Sequence, residues 1–394
     1  MFRSANRKTY AMAAGHLFCD MNSGILPALL PFLIFAYDFT YAAGAALIFA
    51  ANIVSSVSQP FIGIYSDIIS KKWMVPLGLI LGSFGLSIIG FLDSYWAIFV
   101  AIMISGLGTA LFHPEAAKTV TMSAGKNKAS DMSIFSLGGT IGFALGPVVA
   151  TGLLLLWDLQ GLLILILPSL IMSLVIWKVT SKDTSKKVLA SNTSQKEDLP
   201  KDQWKPFSIL SVVLIMRSIV FISLNTFIPL FWITVILQSS ESGNMLLSLF
   251  LVATSVGTLF GGRIADRLGY IKVIGFSFVS LVPVLLVLTI TESLILSAIM
   301  IIFAGFFIFV PYSSLVVLGQ QYLPNRVGLA SGVTLGLSVS AGGVFVPVLG
   351  KVADLYGVPT VMTIIFIISI IALLFTLILT KSHKKLELSH EYSS

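Results

Sequence analysis

Five ionisable side chains lie inside long apolar stretches of this sequence. They are two histidines, two carboxylates and one arginine: His16, Asp20, His113, Glu115 and Arg217. A charged side chain near the centre of a lipid bilayer costs at least about 2.5 kcal/mol, so charges kept there usually have a function. The residue types indicate proton binding by the carboxylates and histidines, and anion binding by the arginine.

The spacing of these residues separates two candidate proton sites. His16 and Asp20 are four residues apart and share one face of a helix. His113 and Glu115 are two apart, which turns them about 200° from each other on an ideal helix. Unless Pro114 bends that helix, only one of them faces a given cavity. We favour Glu115, because a buried carboxylate can bind and release a proton near neutral pH, and we expect His113 to face a neighbouring helix.

Arg217 follows Asp20 by 197 residues, close to half the chain. If the chain is an internal repeat, the two charges lie on facing central helices. Asp20, Glu115 and an anionic substrate would then compete for the arginine, so that protonation of the carboxylates frees it to bind substrate. A permanent structural pair of Asp20 with Arg217 is the alternative. Polar residues that could line the same cavity, or pack helices together, are Asn225, Tyr312 and Gln59.

The elements that carry these residues must be membrane helices. Of 394 residues, 56% are hydrophobic and 10% charged, with a mean hydropathy of +0.98, whereas soluble domains carry about 25% charge. A spanning helix needs about 20 apolar residues. The apolar runs predict spans near 9–35, 42–65, 73–92, 95–118, 132–156, 160–177, 207–236, 244–262, 272–290, 294–318, 328–350 and 358–380.

The basic residues of the loops indicate the orientation. The termini and every second loop carry the lysines and arginines, whereas the other loops carry acidic residues and a single lysine, Lys351. Because positive residues stay on the cytoplasmic side, both termini are predicted to be cytoplasmic. The formal net charge of +7 is therefore an orientation signal, and no nucleic-acid partner is expected.

A polar linker divides the chain into two similar halves. We predict an all-α membrane protein with an N-terminal six-helix bundle at 1–178, a cytoplasmic linker at 179–206, a C-terminal bundle at 207–381 and a cytoplasmic tail at 382–394. Prolines and aspartates recur at offsets of 197 to 200 residues, as in a duplicated transporter. The recurring pairs are Pro31 with Pro229, Asp67 with Asp266, Pro114 with Pro311 and Pro147 with Pro347.

Around the two recurring aspartates the sequence resembles the major facilitator superfamily, whose motif between helices two and three it repeats. The resemblance implies twelve spanning helices in two bundles that alternate in access to a central site. An aspartate at a helix end can cap a neighbouring helix N-terminus or pair with arginine, and so latch the halves together. A plain loop anchor is the alternative. The motif residues are Gly63 and Asp67 in a weaker first copy, and Gly262, Asp266, Arg267 and Gly269 in the second.

Four further stretches narrow the resemblance. Gly142, Gly146 and Pro147 in the fifth span are similar to the glycine- and proline-rich motif of antiporters, although such small residues also serve ordinary helix packing. The segments 15–20, 112–115 and 319–332 resemble the fosmidomycin-resistance group of efflux proteins. That resemblance implies export of a small molecule driven by inward proton flow.

Other classes of function fit the sequence poorly. We expect no enzyme, because no nucleophile stands beside a positioned base and no phosphate-binding loop is present. We expect no cofactor or metal, since the single cysteine excludes multi-cysteine sites.

We predict a monomeric transporter in the lipid bilayer of the bacterial inner membrane. It is expected to exchange protons for a drug-like, anionic or phosphonate compound. The alternatives are a proton symporter that imports an anionic metabolite and a membrane receptor or scaffold that transports nothing.

Overall fold

The computed structural model describes residues 6–37, 39, 41–69, 71–181 and 201–391, and all regular structure in these ranges is helical. Most of the predicted linker lies outside the described residues. Two 3₁₀ segments, Ile89–Phe91 and Asp158–Leu165, and a π-helical segment, Gly332–Leu337, join some of the helices. The α-helices are α1 (Arg7–Tyr37), α2 (Tyr41–Ile68), α3 (Met74–Ser87), α4 (Tyr95–Ser123), α5 (Lys128–Trp157), α6 (Ile166–Ser181), α7 (Trp204–Thr234), α8 (Ser240–Leu268), α9 (Tyr270–Ile290), α10 (Leu294–Phe309), α11 (Tyr312–Tyr322), α12 (Val327–Ser331), α13 (Ser338–Tyr356) and α14 (Val358–Glu391).

Within the described residues these elements form twelve helical segments, one for each predicted apolar run. The prediction of an all-helical chain is therefore confirmed. The last helix continues to Glu391, beyond the predicted end of its span at residue 380. In the part of the chain that the structure describes, seven stretches are long and apolar enough to cross a membrane: Tyr95–Ser123, Lys128–Ser181, Trp204–Thr234, Met245–Leu268, Tyr270–Ile290, Leu294–Tyr322 and Val358–Lys385.

A proline interrupts the tenth apolar run. Pro311 has no backbone N–H and separates α10 from α11. The carbonyl of Phe307, four residues earlier, accepts a hydrogen bond from Ser277 Oγ instead. The carbonyl of Ile308 accepts one from Arg217 Nε at 2.7 Å. The break thus provides a backbone acceptor for a charged side chain.

Serines begin three of the helices at the ends of loops. Ser94, Ser239 and Ser293 each accept a hydrogen bond from the backbone N–H three residues later. Such caps satisfy N–H groups that have no partner inside a helix. The sequence therefore encodes these helix starts locally.

The chain packs as two compact units. The first comprises the described residues among Met1–Gly125, Ile134–Asp202 and Pro324–Leu337, and the second those among Lys126–Ser133, Gln203–Leu323 and Ser338–Ser394. Each unit therefore includes a short segment that the sequence assigned to the other bundle. The predicted bundle boundaries stay a prediction.

In the first unit, glycines of α5 let this helix approach α1 closely. A Cβ at Gly142 would collide with the carbonyl oxygen of Leu17, and one at Gly146 would lie 2.5 Å from the carbonyl carbon of Gly24. Small residues at such positions allow helix backbones to pack directly in membranes. Pro147 lies inside α5, next to this contact.

We predict that Gly142→Ala destabilises the protein by about 1–3 kcal/mol, because the added methyl group overpacks the contact with α1. Gly152→Ala on the same helix is the matched control, since a Cβ there meets no atom within 4 Å. Thermal unfolding of both purified variants in detergent measures the difference. Equal Tm values for the two would show that α1 and α5 do not pack as described.

Candidate functional site

Two histidines and one aspartate converge in the first unit. His16 and Asp20 project from α1 and His113 from α4. His16 Nε2 lies 3.0 Å from Asp20 Oδ2, His113 Nε2 lies 3.1 Å from Asp20 Oδ1, and the two Nε2 atoms are 3.1 Å apart. We call these three side chains the triad. The structure thus places His113, which we expected to face a neighbouring helix, against the α1 pair.

Backbone carbonyls hold both imidazole rings of the triad. His16 Nδ1 lies 2.8 Å from the carbonyl oxygen of Phe135, and His113 Nδ1 lies 2.9 Å from that of Thr109. The Phe135 ring stacks on the His16 ring, with centroids 4.1 Å apart. The histidines are buried, whereas the Asp20 side chain is 21% exposed. The rings are therefore fixed in orientation, while the carboxylate reaches open space.

The triad is also the group of described residues whose donor atoms could hold a metal ion. One ligand atom from each residue lies within 4.8 Å of the other two. We expected no metal because the single cysteine excludes multi-cysteine sites. His16 and His113 are 97 residues apart, and their spacing matches no ligand motif. Only the packing of α1 against α4 brings them together.

Glu115, the predicted proton carrier, lies in a different environment. It is 7% exposed, and its Oε2 accepts a hydrogen bond from Ser66 Oγ of α2. Lys118 Nζ donates to the Ser66 carbonyl oxygen at 2.9 Å and to Asp67 Oδ1 at 3.1 Å. Glu115 therefore belongs to a buried network that ends at the motif aspartate, and its role in proton coupling stays a prediction.

The two motif aspartates cap helices. Asp67 Oδ1 and Oδ2 accept from the backbone N–H groups of Gly328 at 2.7 Å and Leu329 at 3.0 Å, in the first turn of α12. Carboxylates at a helix N-terminus satisfy free N–H groups and oppose the positive end of the helix dipole. An aspartate from the first half of the sequence thus caps a helix from the second half.

The second copy repeats this arrangement with the halves exchanged. Asp266 Oδ1 and Oδ2 accept from the N–H groups of Ala129 at 3.0 Å and Ser130 at 2.8 Å, in the first turn of α5. All three positions lie 199 residues from their counterparts in the first copy. The duplication read from the sequence therefore extends to the hydrogen bonds.

The motif glycines make these caps possible. Gly63 packs on the backbone of Gly328, and Gly262 packs on Ser133 and Ala129, so that a Cβ at either position would collide. Gly269 joins α8 to α9 with a φ of 94°, a conformation that L side chains rarely adopt.

Arg267, the remaining motif residue, lies exposed in the last turn of α8. A basic side chain there opposes the negative end of the helix dipole.

Arg217 lies in an aromatic site in the second unit. Its side chain is 2% exposed, and its guanidinium carbon lies 4.3 Å from the ring centre of Phe309 and 4.7 Å from that of Tyr312. Nε donates to the Ile308 carbonyl, and Nη2 has no hydrogen-bond partner among the described residues. The proposed pairing of Arg217 with Asp20 would join the two units and stays a prediction.

The other predicted lining residues have separate surroundings. Gln59 Nε2 donates to Ser55 Oγ at 3.2 Å, and its side chain packs against Gly336 of the π-helical segment. Its Oε1 has no partner among the described residues. Asn225 is half-buried on α7. Of the three, the structure brings only Tyr312 to Arg217.

Sequence reasoning missed several contributors. Phe309 and the Ile308 carbonyl follow from the break at Pro311, which was a usable signal. No sequence signal pointed to Ser66, because a single serine in an apolar helix is common. The carbonyls of Phe135 and Thr109 act through the backbone, and side-chain patterns do not reveal them.

Comparison with known proteins identifies a relationship across the chain. The family model described as Major Facilitator Superfamily matches residues 12–346. The fosmidomycin resistance protein of Escherichia coli (strain K12) is 25% identical over 378 residues, covering 95% of this chain and 93% of the relative. YfnC, an MFS-type transporter of Bacillus subtilis (strain 168), is 26% identical over 364 residues, covering 89% and 88%.

Solved structures share the fold. FucP in the outward conformation matches with a TM-score of 0.73 at 15% identity, covering 95% of this chain and 99% of FucP. The human organic anion transporter MFSD10 matches with a TM-score of 0.73 at 17% identity, covering 95% and 100%. At these identities the likeness concerns the fold alone.

We predict that Asp67→Ala and Asp266→Ala each destabilise the protein by about 1–2 kcal/mol, because each leaves two first-turn N–H groups without their carboxylate. The loss at Asp67 should be larger, since Lys118 also loses an ion pair at 3.1 Å. Thermal unfolding in detergent is the measurement. Asp93→Ala, at an exposed loop position, controls for loss of a carboxylate, and motif variants that unfold together with it would contradict the capping role.

Proposed function

Because this chain belongs to the Major Facilitator Superfamily, a family of transporters built into the lipid bilayer, we propose that it exports a small anionic compound in exchange for protons. The similarity to the fosmidomycin resistance protein supports export, because the name of that relative links it to resistance against fosmidomycin, a phosphonate. A transporter of this family is not an enzyme, and we assign no catalytic residue.

The buried guanidinium of Arg217 is the observation that carries the anion proposal. An arginine stays ionised when buried and needs an anion or several acceptors. Here the protein supplies one carbonyl and two aromatic faces, and Nη2 remains without an acceptor among the described residues. A carboxylate or phosphonate would satisfy Nη2, and an aromatic site favours a compound with a flat or apolar part.

The proposed topology follows the charge pattern of the loops. We propose twelve spans with both termini on the cytoplasmic side of a bacterial inner membrane, and a monomeric unit of transport. Two bundles that alternate in access to a central site would carry the anion outward and protons inward. The exchanged caps at Asp67 and Asp266 support such a cycle, since their hydrogen bonds can break and re-form.

The test is proton movement in proteoliposomes on addition of fosmidomycin. We predict proton release by the parent protein, a half-saturating concentration at least about tenfold higher in Arg217→Ala, and a smaller change in Arg217→Lys, because loss of a charged hydrogen bond costs about 1.5–3 kcal/mol.

The control for this test is Arg7→Ala, which removes an exposed positive charge outside the site and should respond like the parent. A panel of cationic drugs completes the experiment. The anion proposal would be contradicted if only the cationic drugs caused proton release and if their half-saturating concentrations were the same in Arg217→Ala as in the parent protein.

A further inference from the structure

The donor groups of the triad lie close to one another. The two Nε2 atoms are 3.1 Å apart, and each lies about 3 Å from a different oxygen of Asp20: His16 Nε2 is 3.0 Å from Oδ2 and His113 Nε2 is 3.1 Å from Oδ1. Taking one ligand atom from each residue, the three atoms lie within 4.8 Å of one another.

The backbone fixes the tautomer of both histidines. A carbonyl oxygen only accepts hydrogen bonds, so the Nδ1 atoms that lie 2.8 and 2.9 Å from the carbonyls of Phe135 and Thr109 each carry a proton. In a neutral imidazole the other nitrogen, Nε2, then presents a lone pair. Two imidazole lone pairs and a carboxylate consequently face one another at about 3 Å.

Protons do not satisfy all three of these contacts. A proton on each Nε2 would supply hydrogen bonds to the two Asp20 oxygens, but it would leave two N–H donors of neighbouring imidazolium rings 3.1 Å apart. A single shared proton would instead leave one lone pair facing the carboxylate. A dication could instead bind both Nε2 atoms and the carboxylate together.

We propose that His16, Asp20 and His113 form a binding site for one divalent transition-metal ion of the zinc type. Zinc binds histidine nitrogen and carboxylate oxygen at about 2.0–2.2 Å, and an ion held by the two Nε2 atoms and one Asp20 oxygen would keep a fourth position open. Histidines that bind metals commonly donate their other N–H to a backbone carbonyl, and both triad histidines do so. The site lies beyond the proposed anion export.

Gly139 provides a second, independent observation. A Cβ at this position would collide with His16 Nε2 and lie 2.6 Å from Asp20 Oδ2. The backbone of α5 can therefore lie this close to the donor atoms only because residue 139 is a glycine. Even alanine would fill the volume next to the triad.

The test is metal binding by the purified full-length protein, without a polyhistidine tag and after chelator treatment. Calorimetry with zinc chloride should show one equivalent bound. Cobalt chloride, a spectroscopic substitute for zinc, should give the visible absorption of a low-symmetry site. We predict affinity at least about tenfold weaker in His113→Gln, Asp20→Asn and Gly139→Ala, and unchanged in His383→Gln, whose ring pairs with Tyr322 outside the triad.

Each outcome decides the proposal. Variants are compared only after thermal unfolding shows that they are folded, and His113→Gln preserves the volume of the site if Gly139→Ala does not fold. Absence of metal binding by the parent would mean that the triad holds protons only and would overturn the proposal. Binding that persists in folded His113→Gln would overturn it as well. Fosmidomycin transport is measured separately, so failure of either proposal is distinguishable from failure of the other.

Discussion

A charged group in the hydrocarbon core of a membrane loses its hydration, so the protein itself must supply its partners. The ionisable side chains within the helices follow this constraint in different ways. Asp20 is balanced by two histidines, and Glu115 by a serine within a network that includes Lys118. Arg217 has one carbonyl and two rings. Its incomplete set of partners is what makes an anion the expected occupant of its site.

The same constraint governs the backbone. A helix leaves its first N–H groups without partners, and burial makes their satisfaction obligatory. Asp67 and Asp266 meet that need for α12 and α5, each across 136 or more residues of sequence. At the break before Pro311, Ser277 donates to the Phe307 carbonyl, whose helical donor position is taken by the proline. Arg217 donates to the neighbouring Ile308 carbonyl. Both charged sites thus depend on places where helical hydrogen bonding ends.

The duplication explains why these solutions come in related pairs. The offset of 199 residues read from the motif also relates the capped N–H groups. The charged residues do not repeat in this way. Asp20 and Arg217 lie 197 residues apart and have opposite charges, and all three residues of the triad lie in the first half. A symmetric scaffold therefore carries an asymmetric set of charges, which suits a cycle in which a cation and an anion use different surfaces.

The sequence predicted the helices well, because apolar runs of spanning length leave few alternatives. It also identified which ionisable residues lie within them. Their partners were harder to predict: His113 meets His16 only through the packing of α1 on α4, and two residues of spacing could not show whether His113 or Glu115 joined that pair. The orientation of the two histidine rings depends on the backbone carbonyls of Thr109 and Phe135, which a pattern of side chains does not predict. Arg217 was singled out correctly as a buried charge, but its aromatic neighbours depend on how the chain turns at Pro311.

Export by proton exchange is the central claim, and the direction of substrate movement tests it most directly. Membrane vesicles of known orientation, loaded and diluted to impose a pH gradient, can be supplied with radiolabelled fosmidomycin. The account predicts accumulation in inside-out vesicles with an acidic interior, and its loss when a protonophore collapses the gradient. Accumulation in right-side-out vesicles with an acidic exterior would instead identify a proton symporter and contradict the account.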